Sequence, residues 1–168
     1  KDTVPFFWLY DFLICNTRRH YDVFKDHPNA LYIPWGTNID LFRPDEEHNH
    51  NGQFRFFHSC GLSPGRKGTD ILIKAFSKMS GIDCRLIIHS QGSLEENLVR
   101  NIPMYNSEPN AIPELLDIVE TDDRVEIIEV EAEPPGFFSM GDIYVYPTRL
   151  EGIGLTIAEA LACGLPIL

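Results

Sequence analysis

Positive charge is scarce in this chain: 14 Lys and Arg stand against 25 Asp and Glu, a net charge of −11. So acidic a surface repels phosphate backbones, which excludes a general DNA or RNA binder; any phosphate site has to be a local basic pocket. Cysteine is limited to Cys15, Cys60, Cys84 and Cys163, with no C-x-x-C pair and no zinc spacing. That pattern fits reduced, buried thiols and a cytoplasmic location rather than a disulfide scaffold. Membrane spans need about 20 apolar residues, and the longest run here, 4–15, is broken by Pro5 and Asp11. No signal peptide is read. Neither G-x-G-x-x-G nor G-x-x-x-x-G-K-[ST] occurs, so hydride transfer and phosphate-loop hydrolysis have no support. No Ser-His-Asp or Cys-His arrangement, internal repeat or low-complexity tract is present.

What remains is an ordinary globular balance, 43% hydrophobic and 23% charged over 168 residues, enough for one domain with a leftover piece. Residues 12–15 read as a buried strand, and Thr17 caps a helix running to about Lys25. His27, Pro28 and Asn29 break it before a short strand over 31–33. The span 34–44 reads as a connector and 45–52 as a solvated loop. Strands then alternate with helices: strand 53–58, loop 59–66, helix 67–79 with an apolar stripe of Ile71, Leu72, Ala75, Phe76 and Met79. Strand 85–89, helix 94–100, a loop over 103–113, helix 114–120, strand 124–130, a helical turn opening at Pro134 and Pro135, strand 143–146 and helix 156–163 follow. Gly164 stops that helix, and 165–168 begins another strand. This alternation predicts an α/β fold, a parallel sheet flanked by helices, with ligands bound at the carboxyl ends of the strands.

Two of those ends carry chemistry. In 147–166 a strand delivers Glu151 into a loop, and Gly152 and Gly154 let the backbone approach a ligand. The next helix aims its free N–H groups at the same place, which suits a diphosphate. Glu159, one turn in, can accept from both hydroxyls of a ribose, and Glu151 can hold sugar hydroxyls. Equally, Thr156 and Glu159 fit a capping box, and Glu151 fits a plain loop carboxylate. In 60–68, Arg66 and Lys67 open a helix at its positive end, a placement favoured only with an anion bound. A solvated basic pair is the alternative. His48 and His50 read as part of a solvated loop rather than metal ligands. His58 and His89 end strands, where each could touch a ligand or satisfy the backbone. Asp122 and Asp123 read as a turn.

Three stretches, 33–44, 66–76 and 141–160, together resemble the nucleotide-sugar-binding half of retaining glycosyltransferases of family 4, which have the two-lobed GT-B fold. The first is similar to the family's interdomain segment. The second is similar to its basic loop and following helix. The third carries an E-x7-E spacing, with seven residues between Glu151 and Glu159. The resemblance implies a Rossmann-like donor lobe in which Glu159 holds the nucleotide ribose and Glu151 contacts the donor sugar. The amides of Gly152, Ile153, Gly154 and Leu155, with Thr156 and Gly61, would complete the donor site. Arg66 and Lys67 would neutralise the leaving diphosphate, so that neither metal nor cofactor is needed beyond the nucleotide-diphosphate sugar itself. The family often carries an Arg directly after the glycine at position 61. Here Leu62 stands there, and Arg66 is read as its replacement.

The resemblance also implies domain limits: 1–33 the tail of an acceptor lobe, 34–52 a linker, and 53–168 a C-terminally incomplete donor domain. The aromatic residues of 6–12 would be buried against the absent lobe. The chain would then bind a nucleotide sugar without turnover, and its acceptor is unassigned. Peripheral membrane association of the whole enzyme stays open. The alternatives are a non-catalytic nucleotide-binding or interaction domain, or a sugar-nucleotide epimerase of the same fold.

Overall fold

A computed structural model describes residues 4–45, 52–105, 110–131, 133 and 135–168. The chain forms two compact units, Lys1–Thr37 and Asn38–Leu168.

The first unit is a 3-10 turn, Val4–Leu9, followed by β1 (Leu13–Cys15), α1 (Arg18–Phe24) and β2 (Ala30–Tyr32). The two strands pair in parallel, Leu13 opposite Ala30 and Cys15 opposite Tyr32. Thr17 caps α1 as expected, its Oγ1 accepting from the His20 amide at 3.1 Å. His27 locks the break: Nε2 donates to the Tyr10 carbonyl (3.0 Å) and Nδ1 accepts from the Asn29 amide (3.2 Å). The strand expected to be buried over 12–15 is not. Phe12 is 65% and Ile14 61% exposed, and only Cys15 is buried. Successive side chains point to opposite faces, and among the described residues of this unit nothing covers the outer face of the two-stranded sheet. Phe7 packs on Phe24 (4.5 Å between rings), while Phe6, Trp8, Leu9 and Tyr10 stay exposed.

The second unit is the parallel α/β fold. Its strands are β3 (Phe54–Gly61), β4 (Cys84–Ser90), β5 (Val125–Glu129) and β6 (Ile143–Tyr144), in spatial order β5-β4-β3-β6. Its helices are α2 (Pro64–Lys67), α3 (Thr69–Phe76), α4 (Leu94–Asn101), α5 (Ala111–Thr121) and α6 (Leu155–Ala162). The pleat divides the core in two. Leu86 and Ile88 face one way with Ile73, Phe76, Leu98 and Leu115; Phe57 and Ile87 face the other with Phe138, Tyr144 and Ala160. Both faces are covered, so the middle of β4, Leu86, Ile87 and Ile88, is a continuous apolar run. The connections through α2–α3 and α4–α5 build outward from β3 to β5, and the chain then returns to lay β6 on the other side of β3. A crevice opens at such a reversal, at the carboxyl ends of the strands.

Several limits differ from expectation. The helix expected over 67–79 is broken at Gly68 into α2 and α3, and its stripe is Leu72, Ile73 and Phe76, with Ile71 47% exposed. α5 starts at Ala111 rather than 114, because Pro113 sits in the first turn, where its missing N–H has no intrahelical partner anyway. The last residues pair beside β6, with Leu168 donating to the Tyr144 carbonyl at 2.9 Å. Gly164 (φ +85°) ends α6 as expected: Leu165 donates to the Ala160 carbonyl and Gly164 to that of Leu161, both at 3.0 Å. Three cysteines are buried and unpaired; Cys163 is only partly buried. Among the described residues no helix is long and apolar enough to cross a membrane. His48, His50 and Pro134 lie outside the described residues.

Candidate functional site

The site begins with an irregularity in β3. The ladder to β4 pairs Ser59 with His89 and then Gly61 with Ser90, so Cys60 is an extra residue. Gly61 takes φ +55°, which a side chain disfavours. The chain then turns through α2. At Gly68 φ is +71°, and a Cβ there would overlap the Pro147 carbonyl oxygen and sit 2.9 Å from its carbon. Only glycine lets the end of α2 lie against the segment leaving β6. Arg66 and Lys67 therefore do not open a helix, as expected, but form the last turn of α2. A helix C-terminus favours cations.

That contact brings the two cations onto Glu151. Lys67 Nζ lies 2.6 Å and Arg66 Nη1 2.7 Å from the same oxygen, Oε1. Arg66 also donates to the Leu150 carbonyl (2.9 Å), and the Thr148 hydroxyl to Glu151 Oε1 (3.2 Å). Lys67 donates to the Tyr146 hydroxyl (3.3 Å) and stands 4.8 Å from that ring's centroid. Burial works against the Glu151 charge, but Lys67, the Tyr146 hydroxyl and Arg66 outweigh it and hold the carboxyl down at about 2. Glu151 is the shared counter-ion of the basic pair rather than a plain loop carboxylate.

Behind the pair, Arg149 forms a bidentate bridge to Asp70 (2.6 and 2.8 Å) and donates to the Gly65 carbonyl (2.7 Å). Asp70 is 3% exposed. His58 is fully buried: Nδ1 donates to the Val145 carbonyl (2.9 Å) and Nε2 accepts from the Thr69 hydroxyl (2.8 Å). Burial lowers it to about 4, so it is a neutral tie between β3, α3 and the end of β6. Burial likewise pushes the Cys60 thiol up to about 11, which makes it a poor nucleophile.

The helix after β6 starts at Gly154, φ +70°, with no side-chain cap. Thr156 is thus its second residue, not its cap. The capping-box alternative is overturned because the glycine, two residues upstream, already takes the N-cap position. Thr156 Oγ1 is buried without a hydrogen-bond partner. Among the described residues nothing hydrogen-bonds the Glu159 carboxylate. Burial raises its pKa against the pull of Lys67.

These groups surround a cleft of about 450 Å3. Of the residues singled out from sequence, Gly61, Arg66, Lys67, Thr156 and Glu159 line it. Glu151, Gly152, Ile153, Gly154 and Leu155 do not: Glu151 sits against the cations, Gly154 is buried, and Gly152, Ile153 and Leu155 are exposed. Leu62 also lines the cleft. Gln91, Glu133, Phe137 and His89 also line it. His89 is held on both sides, accepting from the Ser59 hydroxyl (2.9 Å) and donating to the Val130 carbonyl (3.0 Å), and it packs on Phe137 at 4.8 Å. No motif or spacing points to Tyr146, Arg149 or Phe137 as site residues. Among the described residues no group of three or more His, Cys, Asp or Glu could hold a metal ion.

The sequence profile of one family, described as "Glycosyl transferases group 1", matches residues 53–168. The chain belongs to the glycosyl transferases group 1 family. It is 29% identical over 110 residues to the O-antigen biosynthesis glycosyltransferase WclY of Escherichia coli, covering 66% of this chain and 27% of that protein. It is 24% identical to a GDP-mannose-dependent monoacylated alpha-(1-6)-phosphatidylinositol monomannoside mannosyltransferase of Corynebacterium glutamicum, covering 90% of this chain and 41% of that one. The structure of Anabaena Alr3699/HepE in complex with UDP superposes with a TM-score of 0.67 at 20% identity, over 93% of this chain and 43% of that one. The chain therefore has the fold of glycosyltransferases of this group and spans less than half the length of these relatives.

Proposed function

We propose that this chain is the donor-binding lobe of a retaining family 4 glycosyltransferase, which transfers a sugar from a nucleoside diphosphate to an acceptor. The observation that carries the reading is one cleft at the strand ends with two cations, the first-turn Thr156 of α6 and an unpaired carboxylate on its walls. Arg66 and Lys67 neutralise the departing diphosphate together with the first amides of α6. Glu159 accepts from the ribose hydroxyls. Glu151 keeps the two cations in place and contacts the donor sugar. Arg66 supplies the charge that the family resemblance expects at the place of Leu62. Positive charge fixed beside the leaving group does the work a divalent cation does elsewhere.

The acceptor-binding wall belongs to a lobe beyond this chain, so the chain alone binds donor without turnover. Residues 1–33 are the tail of that lobe, 34–52 the linker and 53–168 the donor domain. The exposed Phe6, Trp8, Tyr10 and Phe12 are consistent with an apolar surface made to be covered. Calorimetric titration with UDP, GDP, ADP and their sugar conjugates, without added metal, tests the reading. One nucleotide should bind, and Glu159→Ala should weaken it at least tenfold. The 2′,3′-dideoxy form of that nucleotide should lose as much on the wild-type chain and lose nothing further on the variant.

A further inference from the structure

Lys67 has two unlike neighbours. Glu151 Oε1, 2.6 Å from Nζ, is charged and is shared with Arg66. Tyr146 is an aromatic alcohol: its hydroxyl accepts from Nζ at 3.3 Å, and its ring centroid lies 4.8 Å from the same atom. That ring packs on the fully buried Tyr144, 5.6 Å between centroids. The hydroxyl stands at the start of α6, 3.5 Å from where a Cβ on Gly154 would be. Lys67 lines the cleft, whereas Tyr146 does not.

Position is the weak point of a lysine. Its ammonium is a point charge on a flexible four-carbon stem, with three N–H donors to satisfy. Glu151 alone would take one donor and leave the charge free to swing about a single oxygen. A second carboxylate in place of Tyr146 would fix the ammonium but cancel it. Arg66 and Lys67 on one carboxylate keep one net positive charge; on two they keep none. A phenol avoids both faults. Burial and the neighbouring Glu151 raise the Tyr146 pKa, so its hydroxyl stays neutral and offers a lone pair without a negative charge. The ring face attracts the same ammonium, again without net charge. The third ammonium N–H has no partner among the described residues. It is left for an anion in the cleft.

We propose that Tyr146 is a positioning residue for the donor diphosphate: through its hydroxyl and its ring it fixes the Lys67 ammonium at the cleft wall without neutralising it. The proposal rests on the donor-site reading above. Tyr146 touches no ligand, and its whole effect passes through Lys67.

The test is calorimetric titration of the 168-residue chain with UDP, GDP and ADP, then with the nucleoside of whichever diphosphate binds. The variants are Tyr146→Phe, which removes the hydroxyl and keeps the ring, Tyr146→Leu, which removes both, and Lys67→Ala with and without Tyr146→Phe. Tyr146→Phe should weaken the diphosphate about fivefold, the worth of one hydrogen bond. Tyr146→Leu should weaken it further, by about tenfold or more in all. The nucleoside should bind all of these chains alike. In the Lys67→Ala background, Tyr146→Phe should cost the diphosphate nothing more, because the group it positions is gone. Wild-type diphosphate affinity in Tyr146→Phe overturns the proposal. So does an equal loss with and without Lys67, or a nucleoside loss as large as that of the diphosphate, since either marks a general support of the fold. If no nucleoside diphosphate binds the wild-type chain, the donor-site reading itself falls and takes this one with it.

Discussion

Replacing Gly68 by alanine should disrupt the placement of both cations. The left-handed backbone there, φ +71°, costs a non-glycine residue roughly 1–2 kcal/mol. The added methyl also meets the Pro147 carbonyl, whose carbon would be 2.9 Å away. That neighbour is backbone and cannot rotate aside, so the two segments must separate, which costs roughly 1–3 kcal/mol more. The expected loss is about 2–5 kcal/mol, a fall in Tm of roughly 4–20 °C for a chain of this size. Gly81 supplies the control: its φ is +73°, but nothing lies within 4 Å of an added Cβ. Gly81→Ala should therefore show the backbone penalty alone. Urea and thermal denaturation of the two variants isolate the collision. Equal losses would refute the account of how α2 is held against the end of β6.

Other outcomes follow from the same geometry. Glu151 titrates at about 2 when folded against an ordinary 4.5, so its stabilisation is complete above pH 4.5 and is lost as pH falls toward 2. The wild-type chain should be more stable than Glu151→Gln at neutral pH, with the gap closing across that window in urea titrations. His58 is lowered from 6.5 to about 4. The unfolded chain therefore binds a proton before the folded one does, and stability should fall as pH drops from 6.5 to 4. His58→Gln should flatten that slope, compared by urea midpoints at pH 7 and pH 5. Asp70→Asn removes half of the bridge to Arg149, whose side chain is 24% exposed. The loss should be about 3 kcal/mol, toward the lower end for a buried pair because Arg149 remains partly solvated, read from the urea midpoint.

The repeating pattern of strands and helices was legible because each element buries a periodic apolar face. The β4 run and the α6 stop at Gly164 both appear where the residues put them. What failed depended on contacts distant in the chain. Gly68 looks like an interruption a helix could tolerate; it becomes a break because Pro147, 79 residues later, needs the space. The basic pair was legible as residues, but its position at a helix end and its ion pair with Glu151 depend on that same approach. Thr156 and Glu159 matched a capping box until Gly154 occupied the cap position. Asp70 and Arg149 pair across the fold, and neither letter carries that information. Composition alone marks 12–15 as a buried strand, but burial depends on a second layer, and the described residues of this unit supply none.

The most direct measurement is the affinity ladder of the preferred nucleotide as diphosphate, monophosphate and free nucleoside. It is to be taken on the wild-type chain and on Lys67→Ala and Arg66→Ala, without added metal. The account predicts that the diphosphate binds at least tenfold tighter than the monophosphate on the wild-type chain, and that either substitution removes most of that step while the nucleoside is unaffected. A diphosphate step of the same size in both variants would contradict it.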